Sequence, residues 1–363
     1  MTVPPHQTTS HWLIRISQVF GDLTGEILSV LGATVMKKLG SEYYLIQLED
    51  ASLLWDSKAA KYLRWKLPVH HAWPCNPEKM PGFVEKAATT LYQKFSDKDF
   101  QAIFMGPIEG GLANPYYRKL ASNLRGRTLQ LFPKEIAGFK EIEAQSSTIG
   151  TLFCLVGQEG LYAGVQSPKA SNGFYPGGTK FVSQGSSSTI SRAGAKIAEA
   201  LHYLLLDRSL PKPASHWLEL GASPGGMTSE LLSRGYQVTA IDRAPLDARL
   251  DQAGNLRFIQ ADVADFRPDS KVRFDAILSD MNGGALEAIA QVNRLASSLV
   301  KGGLVIFTLK TPGAVNFSEM NELYDEVTQA AAESGLVLVA KTHLTYNRLE
   351  FTLFFENSPD SPA

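Results

Sequence analysis

The sequence predicts an α/β protein with a mostly parallel seven-stranded sheet in its C-terminal half, preceded by a smaller α+β domain. Three observations lead to this prediction. Short apolar runs alternate with amphipathic helices after residue 190, the last two runs follow each other without an intervening helix, and a segment rich in Ser, Gly and Pro separates the halves. We therefore expect an N-terminal region at 1–165, a connector at 166–190, a second domain at 191–357 and a disordered tail at 358–363.

The N-terminal half contains both strand-like and helix-like patterns. Apolar runs predict five strands, at 11–17, 42–49, 101–107, 150–157 and 160–166. Apolar residues at helical spacing predict two helices, at 82–95 and 115–132. Because strands and helices are mixed in this half, it is predicted to form a small α+β domain.

The C-terminal half has a more regular pattern. Seven strands are predicted, at 216–222, 237–242, 256–262, 274–280, 303–310, 337–344 and 350–356. Helices are predicted at 191–205, 227–235, 285–300 and 318–335. Strands that alternate with helices imply parallel neighbours. The last strand, which forms a final pair with the strand before it, is expected to run antiparallel.

The bulk composition is that of an ordinary globular protein. The sequence is 44% hydrophobic and 20% charged. Its length of 363 residues is too great for one typical core and suggests two or three domains. No apolar run is long enough to cross a bilayer, and the opening residues lack the pattern of a secretory signal. We therefore expect a soluble, cytoplasmic protein that does not engage a membrane.

Metal centres and a strongly basic surface are both disfavoured. Cys75 and Cys154 are too few for a disulfide framework or a cysteine zinc site, and His70-His71 has no partners at metal-ligand spacing. We therefore predict no metal. The formal net charge of −1 disfavours a nucleic-acid coat over the whole chain, so any such contact must use local basic surface.

A glycine-rich turn follows the first strand of the C-terminal half. The stretch from Leu218 to Gly226 reads LELGASPGG, and a helix follows it at once. Glycines let the backbone turn sharply and approach a ligand closely. Because Pro224 lies in the turn, the pattern is not the dinucleotide G-x-G-x-x-G, and it favours a nucleoside with a short charged tail over a pyrophosphate. A purely structural turn is the alternative.

Three successive strands then end in aspartate, at Asp242, Asp262 and Asp280. In open parallel sheets ligands bind outside the carboxyl ends of the strands, where these side chains collect. Asp242 is placed to bind ribose hydroxyls, and Asp262 an adenine amino group. Each aspartate taken alone is also typical of a cap or turn. The predicted ligand-binding residues are Ser191, Gly221, Ser223, Pro224, Gly225, Gly226, Asp242, Asp262 and Asp280.

More charged residues fall at the same edge of the predicted sheet. Lys310 ends the fifth strand, Glu350 begins the antiparallel last strand, and Lys196 lies on the helix before the first strand. Together with Asp280 these side chains can converge, although a lysine that closes a strand is often merely solvated.

These four residues resemble the Lys-Asp-Lys-Glu tetrad of the FtsJ-type ribose 2′-O-methyltransferases, with LGASPGG between the first two. FDAILSDM is similar to the fourth-strand motif of that family. The segments GLYAGVQS, FYPGG, SRAGAK and YNRLEFTL resemble the RlmM group within it, which carries a THUMP-like N-terminal region.

The resemblance implies a Rossmann-like domain, S-adenosylmethionine as cofactor and large-subunit ribosomal RNA as partner. The implied reaction is methyl transfer to the 2′-hydroxyl of a cytidine, with Lys196, Asp280, Lys310 and Glu350 as catalytic residues. Lys310 is implied as the base that removes the hydroxyl proton, and a purely orienting role for Lys310 is the alternative. The sequence departs from the family at Met227, where tryptophan is common, and at SDMNGG, where SDMAPN is common.

RNA contact is predicted in the N-terminal half. The helix at 115–132 carries Arg118, Lys119, Arg125 and Arg127 beside two tyrosines, which suits phosphate contact and base stacking. A solvated helix face is the alternative. The connector has two interpretations as well: it is a tether, or its Lys169, Phe174, Tyr175, Lys180 and Phe181 contact RNA.

Two other functions remain open at this point. The same fold can methylate a base nitrogen or a small molecule, although Asp280-Met281-Asn282-Gly283 is not the Asn/Asp-Pro-Pro-aromatic motif expected of an N-methyltransferase. A non-catalytic RNA-binding protein that retains the fold is the second alternative, and an intact tetrad disfavours it.

Overall fold

The computed structural model describes residues 10–108, 114–137, 145–180, 190–311, 313 and 316–358. The chain divides into two compact units of nearly equal length, Met1–Phe181 and Val182–Ala363. The predicted tail overlaps the described residues only at Ser358, whose amide donates to the Gly335 carbonyl at 3.0 Å. Its remaining residues, 359–363, lie outside the described part of the chain.

The N-terminal unit is an α+β structure, as predicted, and contains two four-stranded sheets. The first sheet is antiparallel with strand order β2-β3-β1-β4, and its strands are β1 (His11–Ile16), β2 (Thr34–Leu39), β3 (Tyr43–Gln47) and β4 (Leu63–Pro68). The second sheet has the order β5-β8-β7-β6, with β5 (His71–Trp73), β6 (Ala102–Pro107), β7 (Thr151–Gly157) and β8 (Gly160–Gln166). In it β7 pairs parallel with β6 and antiparallel with β8.

Two long helices cover the second sheet. The α-helices of this unit are α1 (Thr24–Val30), α2 (Leu53–Asp56), α3 (Phe83–Phe95), α4 (Pro115–Leu129), α5 (Lys134–Ala137) and α6 (Pro168–Ser171). The apolar stripe of α3 contains Phe83, Ala87, Leu91 and Phe95 at intervals of four, and it packs with Leu124 of α4 into one buried core. Asn114 caps α4 through its side chain, which accepts the Tyr116 amide at 3.0 Å.

The described part of the predicted connector is folded onto this first unit. Asn172 adopts a left-handed backbone conformation with φ of 67°, and its side-chain amide donates to the carbonyls of Leu63 and Arg64 at 3.1 and 3.0 Å. Phe174 is buried, with 3% of its surface exposed, which removes it from the surface available for base stacking. Phe181 and the rest of the connector to 189 lie outside the described residues.

The C-terminal unit contains one seven-stranded sheet, which confirms the predicted mixed α/β sheet. Its strands are β9 (His216–Leu220), β10 (Gln237–Asp242), β11 (Leu256–Gln260), β12 (Phe274–Ser279), β13 (Leu299–Lys310), β14 (Leu336–Thr342) and β15 (Glu350–Asn357). The order is β11-β10-β9-β12-β13-β15-β14, and β15 runs antiparallel to both of its neighbours. The sheet is thus parallel apart from β15, as predicted.

Helices cover both faces of this sheet. They are α7 (Ala193–Leu204), α8 (Gly226–Ser233), α9 (Ala285–Leu295) and α10 (Phe317–Glu333). Ile197 and Leu201 of α7 and Leu231 of α8 pack with Trp217 and Leu278 of the sheet. On α9, Ala285, Ala288, Ile289, Val292 and Leu295 form the buried stripe. Burial of each large aliphatic side chain contributes about 1.5–3 kcal/mol before conformational entropy is subtracted.

The strand order places a crevice at the carboxyl ends of β9 and β12. The chain proceeds outward from β9 to β10 and β11 on one side, and from β12 to β13 on the other. Adjacent loops therefore leave these two strands in opposite directions, which opens the space where ligands bind in doubly wound sheets.

Candidate active site

The glycine turn after β9 forms one wall of the crevice. Gly221 has φ of 78° and Gly225 has φ of 103°, which favour glycine at both positions. A side chain at Gly221 would meet the backbone of Met281 at 3.0 Å, and one at Gly225 would overlap Leu250. The turn is therefore closely packed against two neighbouring segments, and the peptide bond between Ser223 and Pro224 is cis.

A cavity of about 380 Å³ lies beside this turn. Of the predicted ligand-binding residues, the structure places Gly221, Ser223, Pro224, Gly226, Asp242, Asp262 and Asp280 on its wall. Ser191 and Gly225 are not among the lining residues. The Ser191 hydroxyl accepts the amide of Ala193 at 3.3 Å, and Ala193 itself lines the cavity.

The first two aspartates brace the backbone of the cavity wall. Asp242 accepts the amides of Ser223 and Ala244 at 2.9 and 2.8 Å, so its carboxylate ties the end of β10 to the glycine turn. Asp262 accepts the amide of Ala264 at 2.9 Å. Carboxylate oxygens have further lone pairs, so these bonds leave capacity for ligand hydroxyl or amino groups.

The four charged residues predicted to converge do meet. Lys196 Nζ lies 3.1 Å from Asp280 Oδ1 and 2.7 Å from Glu350 Oε1, while Lys310 Nζ lies 3.5 Å from Asp280 Oδ1. Lys196 comes from α7, Asp280 follows β12, Lys310 ends β13, and Glu350 begins β15 beside Lys310 in the strand register. The antiparallel direction of β15 is what brings Glu350 to this edge of the sheet.

The two lysines occupy different environments. Lys196 donates to two carboxylates and has 9% of its side chain exposed. Lys310 donates to the Asp280 carbonyl at 3.0 Å and to Asn282 Oδ1 at 2.8 Å, and 22% of its side chain is exposed. Lys310 and Asp280 line the cavity, whereas Lys196 and Glu350 are not among its lining residues. Lys310 is therefore the lysine placed to reach a molecule in the cavity.

Sequence reasoning missed Glu219 as a site residue. Glu219 lies on β9 with 2% of its surface exposed, lines the cavity and accepts the Thr228 hydroxyl at 2.8 Å. Burial raises the pKa of Glu219 to about 8, and the hydrogen bond from Thr228 opposes that rise. The available signal was an acidic residue inside an otherwise apolar strand, which is costly unless it has a role.

The predicted RNA-binding cations of α4 divide into two pairs. Arg118 and Lys119 are exposed. Arg125 donates to the Ile103 carbonyl at 2.8 Å, and Arg127 forms a two-pronged ion pair with Glu85 at 2.6 and 2.8 Å. The contacts of Arg125 and Arg127 lie within their own unit, and Arg118 and Lys119 are the two of these cations with exposed residues.

Membrane-spanning helices and metal-binding clusters are both absent from the described part of the chain. No helix there is long and apolar enough to cross a bilayer. No group of three or more His, Cys, Asp or Glu side chains there could hold a metal ion.

The C-terminal unit matches a known protein family. Residues 189–334 match the family model described as FtsJ-like methyltransferase. Two relatives are called ribosomal RNA large subunit methyltransferase M: one from Proteus mirabilis is 29% identical over 46% of this chain and 46% of its own length, and one from Halorhodospira halophila is 30% identical over 45% and 46%. The chain thus spans about half the length of the curated relatives it matches.

A solved structure is also similar to this chain. It is the Burkholderia thailandensis 1,6-didemethyltoxoflavin-N1-methyltransferase with bound S-adenosylhomocysteine, which aligns with a TM-score of 0.37 and 16% identity. The alignment covers 47% of this chain and 80% of that one.

Proposed function

Because residues 189–334 match the FtsJ-like methyltransferase family model, we propose that this protein transfers a methyl group from S-adenosylmethionine to a ribose 2′-hydroxyl of RNA. The proposed substrate is a cytidine of large-subunit ribosomal RNA. The names of the two relatives support the choice of RNA, and the choice of a cytidine follows only from the sequence resemblance. A cytoplasmic location stays a prediction. The observation that carries the proposal is the meeting of Lys196, Asp280, Lys310 and Glu350 beside a nucleoside-sized cavity, whose wall includes Asp280 and Lys310.

The cavity suits S-adenosylmethionine in size and in the chemistry of its wall. Its volume of about 380 Å³ falls in the range of small-molecule sites. Asp242 and Asp262 offer carboxylates for ribose hydroxyls and an amino group, and the glycine turn lets the ligand approach the backbone. S-adenosylmethionine, when bound, supplies a sulfonium methyl group, so the protein has to supply position and a path for one proton.

Lys310 is proposed to handle that proton. A ribose hydroxyl is a poor nucleophile until its proton is removed, and Lys310 Nζ is the tetrad amine on the cavity wall. Lys196 binds both tetrad carboxylates, so it holds Asp280 and Glu350 in place around Lys310. An unprotonated Lys310 would accept the hydroxyl proton as the oxygen–methyl bond forms, and an orienting role for Lys310 remains the rival. Positioning of the two reactants supplies a large share of the rate in either case.

Methylation of ribosomal RNA by purified protein and labelled S-adenosylmethionine tests the proposal. We expect label in the RNA, mapped to a ribose 2′-oxygen, and a loss of about a hundredfold or more in Lys310→Ala, the scale on which general base catalysis contributes. Gln237→Glu, an exposed position at the start of β10, serves as the control and keeps the wild-type rate. Label on a base or on no RNA at all, or a near-normal rate in Lys310→Ala, would contradict the proposal.

A further inference from the structure

We propose that Asn282 is a positioning residue for Lys310, holding its amine through a neutral amide oxygen so that Lys310 can give up a proton. This inference rests on the proposed function for its catalytic meaning. The contact itself is independent of that function and can be tested separately.

The acceptors of the two tetrad lysines differ in charge. Both short acceptors of Lys196 are carboxylates, at 3.1 and 2.7 Å. The two short acceptors of Lys310 are uncharged, the Asp280 carbonyl at 3.0 Å and Asn282 Oδ1 at 2.8 Å. Hydrogen bonds to an ionised partner are about twice as strong as those between neutral groups. The Asn282 amide therefore fixes the amine of Lys310 without stabilising its charge as strongly as a carboxylate would.

The charged groups around Lys310 are already engaged with one another. Asp280, after β12, lies 3.5 Å from Lys310 Nζ and accepts a closer hydrogen bond from Lys196 at 3.1 Å. Glu350 is the register partner of Lys310 on β15, and it is bound to Lys196 on α7 at 2.7 Å. Glu287 of α9 lines the same cavity. An added carboxylate at position 282 would therefore be the carboxylate nearest to Lys310.

The backbone after β12 fixes the place of Asn282. Gly283 has φ of 116°, which disfavours any other residue there, and Gly284 directly precedes α9. A side chain at Gly284 would crowd the Glu287 carboxylate at 3.3 Å. The Asn-Gly-Gly turn thus sets Asn282 beside Lys310, although the Asn282 residue itself is exposed.

Competitive labelling of Lys310 by acetic anhydride, quantified by mass spectrometry across a pH series, tests the contact directly. In Asn282→Asp we expect the labelling midpoint of Lys310 to rise by about one pH unit or more, because an opposite charge at this distance favours the ammonium form. Gln237→Glu adds the same charge at the other end of the sheet and leaves the midpoint unchanged. A midpoint in Asn282→Asp equal to that of the wild type would overturn the proposal.

Single-turnover methylation across the same pH range gives the catalytic readout. Asn282→Asp is expected to lose about tenfold in rate at pH values below the wild-type midpoint and to recover above its own, higher midpoint. Asn282→Ala keeps no acceptor, and its plateau rate should fall roughly tenfold with unchanged cofactor affinity, since a misplaced group slows a reaction that depends on orientation. Wild-type plateau and midpoint in both variants would refute the positioning role.

The two readouts separate the two proposals. If the wild-type protein methylates no RNA, the proposed function fails, and the labelling midpoint still decides whether Asn282 holds Lys310. If methylation proceeds and neither variant changes it, the proposed function stands and the role of Asn282 is refuted.

Discussion

Glu219 occupies a place where an ionised carboxylate is costly. Burial raises the pKa of Glu219 to about 8, whereas an unfolded glutamate has a pKa of 4.5. Between these two pH values the folded protein keeps the Glu219 proton and the unfolded chain releases it. The contribution of Glu219 to the free energy of unfolding is therefore present below pH 4.5 and is lost as the pH rises toward 8. The size of this loss is roughly 1.4 kcal/mol for each pKa unit of difference, as an upper bound.

Glu219→Gln tests this linkage. Gln keeps an oxygen that can accept the Thr228 hydroxyl but does not titrate, so the variant should lose less stability than the wild type between pH 5 and 8. Urea unfolding without cofactor at several pH values measures the difference. Glu287→Gln, an exposed position on the same cavity, is the control and should track the wild type. Parallel curves for the wild type and Glu219→Gln would rule the linkage out.

Other site residues differ in how far they could be predicted. The glycine turn and the three aspartates were predicted because the ends of parallel strands meet at one edge of a sheet, which the strand pattern alone implies. Asn282 was named only in comparisons with family motifs, without a role of its own. Its contact with Lys310 depends on the path of a two-glycine turn, which a strand pattern does not specify.

At the scale of elements, helix α7 holds the loop that leads to Glu350. Lys196 binds Glu350 directly, and Glu199, one turn later, accepts the amide and the hydroxyl of Thr345 at 2.8 and 2.6 Å. Glu199 is buried, with 3% of its surface exposed. One helix face thus anchors both the start of β15 and the loop before it.

Glu199→Ala is predicted to slow methyl transfer by loosening that loop. The change removes the charged acceptor of both Thr345 donors, and a hydrogen bond to a charged group contributes about 1.5–3 kcal/mol. We expect a lower melting temperature and a single-turnover rate reduced roughly tenfold, with cofactor affinity retained because Glu199 does not line the cavity. Glu326→Ala on the exposed face of α10 is the control. Full activity in a destabilised Glu199→Ala protein would show that Glu199 only supports the fold.

The elements missed by sequence reasoning have a common physical cause. Strand β2 is exposed over almost its whole length, so it shows no alternation of apolar and polar residues. Strand β4 buries Arg64 and Lys66 with 4% and 5% exposure, which breaks the apolar pattern expected of an inner strand. Strand β4 is fixed by pairing with β1, which is distant in sequence, whereas β2 is an edge strand that pairs with its neighbour β3. The Glu199–Thr345 contact, like the pairing of β4, joins distant parts of the chain, because its partners are 146 residues apart.

At the scale of the whole molecule, the charge balance constrains where RNA can bind. The formal net charge is −1, so attraction to phosphate has to come from local groups rather than from the overall field. The cavity and tetrad lie in the C-terminal unit, and the exposed cations of α4 lie in the N-terminal unit. Under the proposed function, the C-terminal unit binds the cofactor and transfers the methyl group, and the N-terminal unit contacts RNA.

Charge reversal on α4 should therefore weaken RNA binding without affecting the cofactor. Arg118→Glu with Lys119→Glu changes two exposed cations and spares Arg125 and Arg127, whose contacts support the fold. If both cations contact phosphates, the slope of log affinity against log salt should become shallower by about 1.4 to 1.8, taking roughly 0.7–0.9 per lost contact. Titration of labelled ribosomal RNA at several salt concentrations gives the slope, and calorimetry with S-adenosylmethionine should give the wild-type affinity.

The control is Lys86→Glu with Lys94→Glu on α3, which makes the same change in charge elsewhere on the unit. An equal loss of RNA affinity in both double variants would mean that α4 is not the contact surface and that the effect is one of net charge alone.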